Sequence, residues 1–274
     1  MTVAEALREA AAELEQAGCP SPRVDAEWLL ADVLGTTRTG LYVIERPLEA
    51  GELRRLRALV ERRRAREPLA YVLGEWGFRR LTLAVDPRVL IPRPETEIVV
   101  ERCLELLRPI ARPRVLDVGV GSGAIALAIA DERPDASVVA TDSSADALSV
   151  AAANKARLGA NGRVELRHGD LLAGAEGPFD LVVSNPPYVP PEDVDGLAPE
   201  VHHEPLEALV GSGRQAEVAE AALAVLVPGG VLVLEVGDGQ APEVEAALRG
   251  LGYEDVRSTR DLAGCERVVE CMAP

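Results

Sequence analysis

One stretch constrains the fold of this chain more than any other. The apolar strand Val115-Leu116-Asp117-Val118 runs directly into Gly119-Val120-Gly121-Ser122-Gly123 and then into the helical run Ala124-Ile125-Ala126-Leu127-Ala128-Ile129-Ala130. Glycines at a strand-to-helix turn let the backbone approach a ligand with no Cβ in the way. The same alternation continues downstream: apolar runs at 114–118, 137–141, 163–167, 179–184, 231–236, 253–258 and 267–271 read as strands, with helical stretches between most of them. A further helix is expected from about 95 to 107. Strands alternating with helices predict an α/β architecture, a Rossmann-like, doubly wound sheet of seven mostly parallel strands. Apolar residues make up 47% of the chain and aromatics only 3%, so the core has to be built from Ala, Val and Leu.

At 274 residues the chain has room for a second, smaller domain. Apolar positions recur at helical spacing over 3–17 (Val3, Leu7, Ala11, Leu14), again over 23–34, and over 51–67, where Leu53, Leu56, Leu59 and Val60 oppose Arg54, Arg55, Arg57, Arg62, Arg63, Arg64 and Arg66. This predicts an N-terminal helical substrate-docking domain over 1–75 with a basic face. That face reads either as solvated surface or as a docking surface for an RNA-rich or acidic partner. From Phe78 to Val85 the pattern changes to alternation (Leu81, Leu83, Val85), and Asp86-Pro87 marks a turn, so a β-hairpin linker is expected over 76–92 and the main domain over 93–274.

Charge narrows the partners. Residues 1–93 carry 15 arginines against 14 acids, whereas 94–274 carry 14 basic residues against 31 acids. A domain that tracked phosphate backbones by charge would show the opposite sign, so no direct nucleic-acid substrate is expected. Cys19, Cys103, Cys265 and Cys271 form no C-x-x-C pair, which predicts free thiols and no metal site. Acidic residues near Met1 and the lack of any apolar run approaching ~18 residues predict a cytoplasmic protein without a membrane span. Nothing in the sequence demands more than a monomer.

The G-x-G-x-G turn is one residue short of the dinucleotide fingerprint, and no Lys-Ser/Thr pair follows it, so it lacks a phosphate grip. It fits a small adenosine-containing ligand such as S-adenosyl-L-methionine. Asp142 closes the next strand, 19 residues after Gly123, where a carboxylate can accept from both ribose hydroxyls. Ser143-x-x-Asp146 reads as a capping box for the following helix. Asp170, ending the third strand, is placed to meet an adenine amino group, with Leu171 against the ring.

The strand 179–184 ends in Asn185-Pro186-Pro187-Tyr188. Two prolines make the turn stiff and remove two N–H donors, so the loop presents acceptors: the Asn185 side-chain oxygen and the Pro186 carbonyl. Two acceptors that grip both hydrogens of a delocalised NH2 favour a pyramidal nitrogen whose lone pair points at a methyl donor. Tyr188 is expected to stack on the planar group.

The glycine turn, Asp142 and Asn-Pro-Pro-Tyr, together with Arg93-Pro94-Glu95-Thr96-Glu97 and Glu204-Pro205-Leu206-Glu207-Ala208-Leu209, resemble the HemK/PrmC family of glutamine-N5 methyltransferases; the likeness extends to Glu266-Arg267-Val268. The resemblance implies a class I S-adenosylmethionine-dependent methyltransferase acting on the glutamine of the Gly-Gly-Gln loop of class 1 peptide chain release factors. It further implies that 119–123, Asp142 and Leu171 bind cofactor and that 185–188 bind the glutamine, with Asn185 facing both. This chain has Val120 and Ser122 where many relatives have threonines, and His202-His203 before Glu204, which leaves the lip of the substrate site open; both histidines are expected at the surface. Asn-Pro-Pro-Tyr is also shared with adenine-N6 methyltransferases, so such an enzyme, or a non-catalytic cofactor-binding translation factor, remains an alternative on these residues.

Overall fold

The computed structural model describes residues 1–172 and 174–274. The chain divides into two compact units, one formed by residues 1–75 with 198–203, the other by 76–197 with 204–274.

In the first unit, helix α1 (Val3–Gln16) begins at a reciprocal cap: Thr2 Oγ1 accepts from the Glu5 N–H at 3.2 Å, and Glu5 Oε2 accepts from the Thr2 N–H at 2.7 Å. It packs with α2 (Pro22–Leu34), α3 (Ala50–Arg64) and the short α4 (Leu69–Leu73) around Leu14, Leu29, Leu30, Leu56 and Val60. Helix α3 stops at Arg64 rather than running on to Glu67, and Arg66 takes a left-handed φ of 63°. The arginine-rich face is largely satisfied within its own unit. Arg55 pairs with Asp32, Arg62 with Glu67, and Arg64 with Glu61 and Glu13. Arg63 is buried between Asp25 and Glu200, each at 2.8 Å. A buried guanidinium is tolerated only with such partners, because a lone charge there costs several kcal/mol.

The second unit opens with a two-stranded hairpin, β1 (Glu75–Phe78) and β2 (Leu81–Ala84), followed by α5 (Thr96–Leu107), β3 (Arg114–Val118), α6 (Ala124–Glu132), β4 (Ser137–Asp142), α7 (Ala145–Arg157), β5 (Val164–His168) and β6 (Phe179–Ser184). It closes with α8 (Arg214–Ala222), β7 (Leu226–Glu235), α9 (Ala241–Gly250), β8 (Glu254–Arg260) and β9 (Glu266–Met272). The seven-stranded sheet has the order β5-β4-β3-β6-β7-β9-β8, parallel except for β9, which runs antiparallel to both of its neighbours, β7 and β8. Because strand side chains alternate faces, Val115 and Leu181 pack under α5 and α6 while Leu116 and Val182 pack under α8 and α9. Phe78 and Phe179 are the large aromatics fully buried among the described residues, and Leu, Val and Ala fill the rest.

Two sequence expectations are corrected. Strand β7 starts at Leu226, not Val231: Pro228-Gly229-Gly230 reads as a break but is absorbed as an irregularity, the register moving from Phe179↔Leu226 to Leu181↔Val231. The cap of α7 is Ser144, whose Oγ accepts from the Ala147 N–H at 3.2 Å, not Ser143. No helix among the described residues is long and apolar enough to cross a membrane.

Candidate active site

Successive strands spread outward from the centre of the sheet, β3 to β5 one way and β6 to β7 the other, so the chain reverses direction between β3 and β6. A crevice opens there at the carboxyl ends of the strands, where α/β sheets take ligands. The register pairs Val118 with Ser184, so the glycine turn and Asn185-Pro186-Pro187-Tyr188 leave adjacent strand ends. Ser184 Oγ donates to the Val118 carbonyl at 2.6 Å and ties them together. The cleft encloses about 460 Å³ and is lined by Gly119, Val120, Gly121, Ser122, Asp142, Asp170, Leu171, Asn185, Pro186 and Pro187. That volume suits a small-molecule ligand.

All three glycines of the turn hold a positive φ. Gly119 and Gly121 adopt φ of 84° and 53°, and a Cβ on either would meet no protein atom within 4 Å, so they are fixed by backbone conformation and leave the cleft clear. Gly123, at φ 91°, has the same conformational requirement, and a Cβ there would also come within 2.7 Å of Leu127 Cδ1 on α6. Val120 is buried in the core, and the Ser122 carbonyl accepts from Asn154 Nδ2 at 2.9 Å. Asn154 also exchanges hydrogen bonds with the Ala84 N–H and carbonyl, which locks the hairpin to the glycine turn.

Asp142 Oδ2 accepts from the Gly121 N–H and Oδ1 from the Ser144 N–H, both at 2.9 Å. Each oxygen keeps a lone pair, so the carboxylate is oriented without being used up. Asp170 lies two residues beyond the end of β5 and lines the cleft. It is exposed, and Oδ1 is taken by Arg214 at 2.5 Å and by the Leu171 N–H at 3.0 Å; the Arg214 guanidinium holds its carboxyl below the usual range. Arg214 itself carries no sequence signal. Leu171, at a left-handed φ of 48°, lines the cleft and accepts through its carbonyl from Thr141 Oγ1 at 2.7 Å.

The tetrapeptide is split. Asn185, Pro186 and Pro187 line the cleft, whereas Tyr188 lines a neighbouring cavity of about 320 Å³. The tyrosine is held from both ends: its hydroxyl donates to Glu235 Oε1 at 3.3 Å, and its carbonyl accepts from Gln240 Nε2 at 2.9 Å. Burial pushes its hydroxyl up to about 12. Asn185 Nδ2 donates to Thr96 Oγ1 at 3.3 Å, and Oδ1 has no protein donor among the described residues. Gly211 backs the loop: its N–H donates to the Val189 carbonyl at 3.1 Å, and a Cβ there would lie 2.7 Å from the Pro187 oxygen.

Two carboxyls are buried at or next to the carboxyl ends of their strands. Asp117 on β3 accepts from the Ala126 N–H at 3.0 Å, and burial raises it to about 8. Glu235, at the end of β7, is raised to about 7 for the same reason. Asp117 Oδ1 and Glu235 Oε2 lack hydrogen-bond partners. Sequence reading singled out neither residue, since each looks like an ordinary strand-end acid. His202 and His203 are both exposed, and no metal-binding cluster occurs among the described residues.

A doubly wound sheet with a glycine turn and an Asn-Pro-Pro-Tyr loop at its reversal point defines a methyltransferase domain. Residues 96–234 match the methyltransferase small domain family, and a methyltransferase from Pyrococcus furiosus shares the fold at a TM-score of 0.51 and 21% identity over 80% of this chain and 98% of that one. Residues 5–74 match the PrmC N-terminal domain. A release factor glutamine methyltransferase from Deinococcus radiodurans is 46% identical over 98% of both chains, and one from Caulobacter vibrioides is 42% identical over 98% of this chain and 96% of its own. The chain belongs to the release factor glutamine methyltransferase family.

Proposed function

We propose that this protein transfers the methyl group of S-adenosyl-L-methionine to the side-chain amide nitrogen, N5, of the glutamine in the Gly-Gly-Gln loop of class 1 peptide chain release factors, in the cytoplasm and as a monomer, with residues 1–75 contributing the docking of the release factor. The observation that carries the reading is Asn185: its amide nitrogen is engaged by Thr96 and its oxygen is left for a ligand at the rim of the glycine-lined cleft.

When bound, the cofactor supplies an electrophilic methyl group on a sulfonium. Gly119, Val120, Gly121, Ser122 and Gly123 would hold it, the open faces of Gly119 and Gly121 allowing close approach, with Asp142 on the ribose hydroxyls and Leu171 against the adenine. Asp170 would reach the adenine amino group through Oδ2, since Oδ1 is committed to Arg214. On the substrate side, Asn185 Oδ1 and the Pro186 carbonyl accept from the two hydrogens of the glutamine amide, which orients the nitrogen lone pair. Pro186 and Pro187 contribute no competing donors. Positioning of this kind is worth up to ~7 to 11 kcal/mol of barrier. Tyr188, tied through its hydroxyl to Glu235 and through its carbonyl to Gln240, would stack its ring on the planar amide.

The test is transfer of labelled methyl to a release factor and to the same factor with its Gly-Gly-Gln glutamine changed to alanine. Label on the first alone supports the reading. Label in DNA or RNA would instead favour adenine-N6 methylation, and no transfer with cofactor bound would favour a non-catalytic role.

A further inference from the structure

Two sequence motifs, Arg93-Pro94-Glu95-Thr96-Glu97 and Asn185-Pro186-Pro187-Tyr188, meet at one hydroxyl. Thr96 is buried at the start of α5, and its Oγ1 accepts from Asn185 Nδ2. That leaves the threonine with a proton of its own to place. The fully buried Glu235 lies beside it. Tyr188 donates to Glu235 Oε1, Oε2 has no hydrogen-bond partner, and the Thr96 hydroxyl is among the groups that favour the charged form of this carboxylate. A buried carboxylate short of donors is the strongest acceptor within reach of Thr96. With its proton drawn there, Thr96 offers Asn185 only lone pairs, which accept from an NH2 and repel a carbonyl oxygen.

The consequence lies in the symmetry of the asparagine side chain. Turning its amide over exchanges acceptor for donor with almost no change of shape. With Oδ1 toward the cleft, the loop grips a substrate NH2; with Nδ2 there, it opposes one. We infer that Thr96, its proton committed to Glu235, is the positioning residue that fixes which amide atom of Asn185 faces the methyl acceptor. This rests on the reading of Asn185 as an acceptor for a substrate amide and assigns the residues that enforce it. Gln240 serves the same loop, with Oε1 on the Gly237 N–H and Nε2 on the Tyr188 carbonyl.

The test compares Thr96→Val, which keeps the shape and loses the hydroxyl, with Thr96→Ser, which restores it. Melting temperature, cofactor affinity, kcat and KM for a release factor, and calorimetric binding of a Gly-Gly-Gln peptide without cofactor are measured for each. Thr96→Val is expected to lower kcat ~10-fold or more, the loss of about one oriented hydrogen bond, and to weaken peptide binding. Cofactor affinity should stay within ~2-fold, and Thr96→Ser should return kcat to within ~3-fold of the parent. A Thr96→Val protein with parental kcat and peptide affinity overturns the inference, as does a Thr96→Ser protein no better than Thr96→Val. Should Thr96→Val not fold, Thr96→Ala, equally unable to accept or donate, decides the same question. A parent that leaves the glutamine unmethylated defeats the functional reading instead, while a Thr96 effect on peptide binding would still support the orientation of Asn185.

Discussion

Glu204 receives Arg93 in an ion pair at 2.6 Å across 111 residues of sequence, and its second oxygen accepts from the Ile91 N–H at 3.0 Å. The pair joins the Arg-Pro-Glu-Thr-Glu and Glu-Pro-Leu motifs, fastening the segment after the tetrapeptide to the segment before α5. The Glu204 side chain is almost wholly buried, so Arg93→Ala would leave its charge with one backbone donor. A loss of about 2 kcal/mol is expected in denaturant unfolding, below the full cost for a buried pair because Arg93 is partly exposed. Unchanged stability would show that the pair is dispensable.

Asn185→Ala removes the acceptor while leaving the glycine turn and Asp142 in place. Its kcat/KM should fall by at least ~2 kcal/mol in transition-state terms, with cofactor affinity little changed. Near-normal turnover would reject Asn185 as the grip on the nitrogen.

Gly211→Ala acts from behind the loop. Its Cβ would come within 2.7 Å of the Pro187 oxygen, a backbone atom that yields only if the stiff turn moves. Displacement of catalytic groups by about 1 Å costs on the order of 100-fold, so kcat should drop sharply while the protein still binds cofactor. Parental kcat would mean that the turn absorbs the shift.

Asp117 gives a pH signature of stability. Burial first, and Asp142 secondarily, raise its folded-state value to about 8, above the ordinary carboxyl value near 4. Between those values the folded state keeps a proton that the unfolded chain releases, so this group's contribution favours folding below pH ~4 and fades as pH rises toward ~8. Denaturation from pH 5 to 9 should show stability falling, and Asp117→Asn should flatten the slope. An identical slope in the variant would exclude Asp117 as its source.

Glu235 gives a pH signature of activity. Burial raises it to about 7; Thr96, Tyr188 and Arg267 favour its charged form and Glu95 opposes it. Below ~7 it takes up a proton and stops being a pure acceptor for Thr96, so kcat should fall on the acid side. In Thr96→Val that limb should be lost from an already lowered rate. A parental profile flat from pH 6 to 8 would contradict this role.

The sheet was legible because its signal is local. The alternation of 114–118, 137–141 and 179–184 with helical runs, and the glycines between strand and helix, prescribe a parallel doubly wound fold through backbone conformation and periodicity alone. The stiffness of Asn185-Pro186-Pro187-Tyr188 and its scarcity of donors are likewise covalent properties, independent of surroundings. Orientation was not legible. Which amide atom Asn185 turns to Thr96, the engagement of Tyr188 by Glu235 and Gln240, and the capture of Asp170 by Arg214 depend on partners 44 to 89 residues away. The arginines of α3 show the same limit: periodicity put them on one face, but Asp32, Asp25 and Glu200, which pair with Arg55 and Arg63, come from other segments, and Arg63 is buried rather than solvated. Local sequence decides where strands, turns and donors lie along the chain, whereas hydrogen-bond direction and the charge state of a buried acid are set by the groups that folding brings beside them.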